Sequence, residues 1–360
     1  MVILTYIILG LSSLVVAFIN LSPQFGANPD NEQKQYYSSF SNYNNNEFNN
    51  LEETVMVTGE MPMSDFFVRD SNRTPEASIV SQDIDINKFK NNNIINFSWL
   101  GHSGFIFNIN GTLIMLDPML GEHASPVPIP TLKRYSEIPL SFENIEMIDA
   151  VIFSHDHYDH LDYPTIKKLS NKVKRFFVPL GLGNHLESWG VDSDIITELN
   201  WNQSFQFGEI NFICLPSRHF SGRGPFNRNS TLWASWAIIS SFGKIYFSGD
   251  SGYGKHFKDV GEEHGPFDIV LIDSGQYNEA WRHSHMFPEE AVLAAKDLKA
   301  KYFMPIHWGA FTLSTHAWNE PINQSIFYAK KYNQHIIAPE IGEVVFLNNI
   351  NDDVKQWWIR

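Results

Sequence analysis

Ser154-His155-Asp156-His157-Tyr158-Asp159-His160 follows directly on the apolar run Ala150-Val151-Ile152-Phe153. Histidine and aspartate are costly to bury unless they are paired or hold a metal, so packing alone does not call for this H-x-H-x-D-H cluster. Imidazole and carboxylate without thiolate suit a zinc, iron or manganese centre of the catalytic type. His155 and His157 are two residues apart, so in an extended segment they project to one side. Asp159 and His160 stand where the chain turns into Asp162–Leu169, a helical pattern with Pro164 in its first turn. One pair can hold one metal and the second pair another.

A complete centre needs further ligands, and the sequence repeats one context in which to seek them. The strand-like run Ile210–Pro216 is followed by His219, Lys244–Gly249 ends in Asp250, and Lys301–Ile306 ends in His307. Strand ends on one edge of a layered α/β fold converge, and that edge is where such folds place their chemistry.

The set His155, His157, Asp159, His160, His219, Asp250 and His307 resembles the ligand pattern of the metallo-β-lactamase superfamily. Within it the chain is similar to the branch of N-acyl-phosphatidylethanolamine-hydrolysing phospholipase D and the ascorbate-phosphate lactonase-like hydrolases. Trp99-Leu100-Gly101-His102-Ser103-Gly104, Leu116-Asp117-Pro118, Gly249-Asp250-Ser251-Gly252-Tyr253 and His307-Trp308-Gly309 extend the match, which runs from about residue 94 to about 325. The resemblance implies an αββα sandwich, the metallo-β-lactamase fold. It also implies that His155, His157 and His219 hold one ion, that Asp159, His160 and His307 hold the other, and that Asp250 bridges them. Two zinc ions are expected, with manganese or iron as the alternatives. A hydroxide shared by the ions is the implied nucleophile, and no Ser-His-Asp or GxSxG motif competes for that role. The chain departs from its relatives at Glu122-His123-Ala124 and Ile129-Pro130-Thr131, in a loop that bears on substrate choice.

Composition narrows the classes. With 360 residues, 43% of them hydrophobic, the chain is large enough for one sizeable core, and evenly spread strand patterns favour one domain. The formal net charge of −14 and the lack of a basic stripe argue against a nucleic-acid partner. The single cysteine, Cys214, lies inside an apolar strand, which excludes a disulfide framework and reads as a buried, inert thiol. Ile3–Ile19 carries no charged side chain, long enough for a signal-peptide core or a short anchor, so residues 1–22 are expected to be a signal peptide or N-terminal membrane anchor. That places the protein at a membrane or in the cell envelope or periplasm. Residues 23–90 are rich in Asn, Ser and acidic side chains, and Ser41–Asn50 reads as a low-complexity mobile linker. The hydrolase domain is then 91–350.

Individual residues complete the reading. Ile94–Leu100, Gly104–Asn108 and Thr112–Leu116 are successive strands, the last two joined by an Asn110-Gly111 turn, and Pro288–Leu298 is a helix. Asp117, at a strand end, suits a carboxylate that accepts an N–H from a ligand histidine. His102 fits either a pocket residue or a hydrogen-bonded turn histidine. His285 matches an active-site histidine of the phospholipase branch, so His285 and Asp159 are the candidate catalytic residues, with His285 protonating a leaving group or binding a phosphoryl oxygen. His283 is expected in solvent. Arg218, Arg223 and Arg228 bracket the loop after His219 and fit either phosphate contacts or ordinary surface positions. Trp233 and Trp236 read as core. The expected function is hydrolysis of an N-acyl phospholipid phosphodiester. A lactonase, or an envelope-anchored metal-binding module without catalysis, is the alternative.

Overall fold

Period-two alternation decides where each strand faces. The structure, a computed structural model, describes residues 2–60, 71–90, 94–351 and 353–359. The N-terminal part contains helices α1 (Val2–Leu21), α2 (Asn31–Tyr37) and α3 (Ile86–Lys90) and a small hairpin, β1 (Tyr43–Asn44) and β2 (Glu47–Phe48). A first half follows: β3 (Ile95–Trp99), β4 (Phe105–Ile109), β5 (Thr112–Leu116), β6 (Ala150–Ile152), α4 (Tyr163–Leu169), β7 (Phe176–Pro179), α5 (Gly183–Ser188) and β8 (Ile196–Leu199). The second half comprises β9 (Ser204–Phe207), β10 (Ile210–Leu215), β11 (Ser235–Ser240), β12 (Gly243–Phe247), α6 (His256–Glu263), β13 (Ile269–Asp273), α7 (Pro288–Asp297), β14 (Tyr302–Ile306), α8 (Glu320–Lys331), β15 (His335–Ile336) and β16 (Val344–Phe346).

The two large sheets have seven strands each, in the orders β16-β3-β4-β5-β6-β7-β8 and β15-β14-β13-β12-β11-β10-β9. Each half begins as an antiparallel meander and continues in parallel through helical crossovers. Alternate residues go to opposite faces. Ile114, Leu116, Ala150 and Ile152 join the core between the sheets, with Phe212, Trp236, Ile238 and Phe247 from the facing sheet. Leu113, Met115, Val151 and Phe153 turn outward and are covered by Ile86 and Phe89 of α3, Ile166 and Leu169 of α4 and Leu186 of α5. The αββα layering follows from this doubly apolar alternation, because neither face of such a sheet tolerates water.

The strand and turn expectations hold closely. Asn110 and Gly111 both have positive φ, at 50° and 87°, as the two-residue hairpin turn requires. Asp162 caps α4 by accepting from the Thr165 N–H, and Pro164 lies in its first turn. Cys214, Trp233 and Trp236 are buried in the core, and burial pushes the Cys214 thiol well up.

The N-terminal extension differs from the expectation. Ser41–Asn50 is not a loose linker but carries the β1–β2 hairpin, whose Tyr43 and Phe48 bury with Tyr37 in the main core. Spaced aromatics in an otherwise polar segment supply the burial that ordering needs, and Asn42 pairs with Asn200 through their side-chain amides at 2.8 Å. Nor does the core stop at residue 350, since Trp357 stacks on Trp308 and Trp358 meets it edge-on. The boundary expected at residue 91 falls in 91–93, outside the described residues.

Candidate metal centre

Every residue singled out as a ligand emerges from the same edge of the sandwich. The first sheet delivers Asp117 after β5 and the His155–His160 loop after β6. The second sheet delivers His219 beyond β10, Asp250 beyond β12 and His307 after β14. Gly249, at φ 56°, makes the close approach possible: a Cβ there would lie 2.4 Å from that of Ser154. Three non-glycine residues of the site, His102, Asp117 and His307, also have positive φ, at 55°, 36° and 70°. Such conformations cost about 1–3 kcal/mol each and persist where surrounding structure fixes them, as at active sites.

The seven side chains form two groups that share Asp250. His155 Nε2 lies 2.9 Å from His157 Nδ1, which is 3.2 Å from His219 Nε2. Asp250 Oδ2 completes the group at 3.6 Å from His155 Nε2 and 3.8 Å from His219 Nε2. A tetrahedron of nitrogen and oxygen atoms about 2.0–2.1 Å from zinc has edges of about 3.3 Å, so these separations fit one ion. In the second group Asp159 Oδ2 is 3.5 Å from His160 Nε2 and 3.8 Å from His307 Nε2. Asp250 Oδ2 reaches this group as well, 3.1 Å from His160 Nε2.

The polar atoms themselves fit a cation. His160 Nε2 and Asp250 Oδ1 are buried and make no hydrogen bond, which is costly unless something else occupies them. Burial, reinforced by the neighbouring imidazoles, holds His155 and His219 well below the ordinary histidine value and favours the neutral, ligating form. Burial takes His157 down to about 4. It pushes Asp250 up to about 7, with the nearby Asp273 carboxylate adding to the rise. His160 is also buried, but Asp250, Asp159 and Asp117 outweigh that and hold it well above its ordinary value.

Around these atoms lies a shell that fixes them. Asp117, fully buried, accepts from the Ser154 N–H at 2.7 Å and from the Ser154 hydroxyl, and its Oδ2 is 2.7 Å from His160 Nδ1. This is the role read from its strand-end position. His102 is resolved too: buried, its Nε2 is 2.9 Å from Asp159 Oδ2 and its ring lies 4.2 Å from that of His307. It thus orients the Asp159 carboxylate from the β3–β4 turn, and it belongs to a group that could itself hold an ion with Asp159, His160 and His307.

His285 reaches the site as expected, with its ring parallel to that of His307 at 5.1 Å. Its partner, Asp273, was not singled out from the sequence. Asp273 Oδ2 lies 2.8 Å from His285 Nδ1 and is fully buried. Burial opposes a charged His285, but the Asp273 carboxylate prevails and raises it. Ile269-Val270-Leu271-Ile272 ending in Asp273 repeats the strand-end pattern of Asp250 and His307, and that signal was available in the sequence.

The arginines divide. Arg223 is buried and commits four of its five N–H groups to the carbonyls of Gln24, Asp156 and Leu161 while stacking on Tyr158 at 4.0 Å, and it does not line the cavity that holds the candidate ligands. Arg218 ties Thr54, Tyr253 and Glu53 together. Arg228, exposed and stacked on Phe220 at 4.5 Å, borders a cavity of about 330 Å³ lined also by His157, Asp159, Asp250, His285 and His307. His283 is not a free solvent residue: its Nδ1 accepts from the Val55 N–H at 3.1 Å. A larger cavity of about 710 Å³, between the 120–128 loop and α4, is lined by none of the seven candidate ligands.

A paired histidine–aspartate centre at the strand ends of an αββα sandwich defines a class of metal-dependent hydrolases, and residues 112–308 match the beta-lactamase superfamily domain. The chain belongs to that superfamily. It is 43% identical over 252 residues to an uncharacterised protein of Mycobacterium tuberculosis, covering 69% of this chain and 68% of that one. It is 36% identical over 231 residues to N-acyl-phosphatidylethanolamine-hydrolysing phospholipase D 1 of Caenorhabditis elegans, covering 61% of this chain and 65% of that one. Among solved structures, a metallo hydrolase of the archaeon Ignicoccus hospitalis superposes with a TM-score of 0.53 at 20% identity, covering 70% of this chain and 97% of that one, a likeness of fold.

Proposed function

We propose that this hydrolase cleaves a phosphodiester, with N-acyl phospholipids as the substrate class, in the manner of a phospholipase D. The observation that carries the reading is Arg228. In a chain of net charge −14 it is, among the described residues, the only arginine or lysine lining the cavity shared by both ligand groups. A guanidinium there recruits an anionic diester and favours it over a neutral lactone. The similarity to a phospholipase D that hydrolyses N-acyl-phosphatidylethanolamine supports the same class.

His155, His157 and His219 would hold one ion, Asp159, His160 and His307 the other, and Asp250 both. Two zinc ions suit this donor set, with manganese or iron as alternatives. Bound metal supplies Lewis-acid stabilisation of the phosphoryl oxygens and a water acidic enough to attack near neutral pH. The chain's own residues do the rest. Asp159, held by His102, fixes the second ligand group at the cavity floor, and Arg228 orients the diester. His285, kept protonated by Asp273 at Nδ1, donates from Nε2 to the leaving oxygen. Met56, Val57, Phe220, Trp281 and Leu313 give the cavity apolar walls for an acylated substrate.

Membrane association belongs to the same proposal. Among the described residues no helix is long and apolar enough to cross a membrane. α1 nevertheless exposes Leu14, Val15 and Leu21 by 68%, 57% and 81%, apolar surface suited to a bilayer. The deciding experiment is a screen of zinc-loaded protein against bis(p-nitrophenyl) phosphate, N-acyl phosphatidylethanolamine vesicles, lactones and a chromogenic cephalosporin. Turnover of the first two supports the proposal. Lactone turnover alone replaces it with a lactonase, and no turnover leaves a metal-binding module. Cell fractionation that finds the intact chain free of membranes and envelope overturns the localisation.

A further inference from the structure

Asn50 lies at the end of the Asn-rich segment, 169 residues from His219 in sequence, yet the two are bonded in both directions. The Asn50 amide nitrogen donates to the His219 carbonyl at 2.8 Å, and its amide oxygen accepts from the His219 N–H at 3.1 Å. The same oxygen accepts from the Trp233 indole at 3.1 Å. His219 sits in a loop, outside any strand, and one side chain thus supplies both backbone partners that a neighbouring strand would otherwise provide. The imidazole is aimed from the other side, with Nδ1 3.0 Å from the Ser284 carbonyl, so that Nε2 faces His157. Beyond Asn50 the chain stays on this rim: Glu53 and Thr54 bind Arg218, Val55 binds His283, and Thr58 binds Ala280.

We infer that Asn50 is a positioning residue for His219, and that the N-terminal extension is thereby a working part of the ion site formed by His155, His157 and His219. The hairpin explains how a polar segment holds such a position: Phe48 anchors it in the core, and the Phe48 N–H donates to the Asn229 carbonyl at 2.9 Å, beside the loop that carries His219. Asn50 touches no ligand atom, so it acts through the backbone of a ligand. The expected effect is at the lower end of the 10–100-fold that outer partners of metal ligands contribute.

The test uses the full-length chain and two probes, zinc affinity by competition with a chromogenic chelator and the visible spectrum of the cobalt(II)-substituted protein. Asn50→Ala should bind zinc about tenfold more weakly and alter the cobalt ligand-field bands, with far-UV circular dichroism retained. Asn50→Asp keeps the acceptor but sets a carboxylate oxygen against the His219 carbonyl, so it should weaken zinc at least as much as alanine; it decides the matter if Asn50→Ala does not fold. Thr58→Ala, which removes the hydroxyl's bonds to the Glu279 carbonyl and the Arg282 N–H and so loosens the same rim away from His219, should leave both probes unchanged. Zinc affinity within twofold of wild type and an unaltered cobalt spectrum in the folded Asn50 variant would overturn the inference, as would an equal loss in Thr58→Ala, the mark of general loosening. The inference rests on the ion-site reading of His155, His157 and His219 and not on the substrate. A wild-type chain that binds no zinc defeats that reading, whereas wild-type binding insensitive to Asn50 defeats only this one.

Discussion

Replacing Asp117 by asparagine removes a charge and reverses one hydrogen-bonding group without changing size. The native carboxylate accepts three contacts: the Ser154 N–H, the Ser154 hydroxyl and His160 Nδ1. An asparagine has one acceptor oxygen. If that oxygen keeps the Ser154 N–H, the amide NH₂ faces His160 Nδ1, and two donors oppose each other. His160 must then accept at Nδ1 and carry its proton on Nε2, the atom 3.1 Å from Asp250 and needed for the ion. The loss is one charge-assisted bond in a buried site, about 1.5–3 kcal/mol. At about 1.4 kcal/mol per decade this is about 10–100-fold in zinc affinity, the range found for outer partners of metal ligands. Ser154→Ala, which removes only the hydroxyl contact, should cost less. Chelator competition measures both variants, and circular dichroism shows whether each is folded. A folded Asp117→Asn protein that binds zinc within twofold of wild type would refute the reasoning.

Asp250→Ala should lose both ions or most of the activity, because its Oδ2 reaches both ligand groups; elemental analysis finding two ions per chain in this variant refutes the shared role. His285→Ala should lower phosphodiester turnover by about 10²–10⁴-fold, as expected for loss of a general acid, with metal content unchanged, and near-wild-type turnover removes His285 from the mechanism. Glu198 should make stability depend on pH. Burial pushes its carboxyl from the ordinary 4.5 up to about 7, against the Gly183 N–H that favours the ionised form. A raised carboxyl contributes stability that is full below 4.5 and lost as pH rises through 7. Glu198→Gln should therefore match wild type in thermal melts near pH 4.5 and exceed it at pH 8, by about 2–3 kcal/mol at most given its partial exposure. Equal melting differences at both pH values contradict this.

Much of the site was legible because its signals are local. His155, His157, Asp159 and His160 are neighbours, and His219, Asp250 and His307 each follow an apolar run, so spacing and alternation picked out all seven as candidates, and the fold brings them together. The same rule would have found Asp273. Arg223 could not be placed this way. Nothing near it in sequence shows that the carbonyls of Gln24, Asp156 and Leu161 consume most of its donors, and a buried structural arginine looks like a phosphate-binding one until its partners are known.

The sequence by itself determined the layered fold and the candidate ligand set, since period-two alternation and ligand spacing act over a few residues. Only the tertiary structure decided that His102 serves Asp159, and that the Asn-rich segment folds onto the candidate metal centre instead of leading away from it. Those outcomes depend on pairs such as Asn50 with His219 and Asn42 with Asn200, separated by 169 and 158 residues. Side chains so distant meet only after both sheets have formed, and an asparagine that will bond a ligand's backbone is chemically identical to its solvated neighbours until they do.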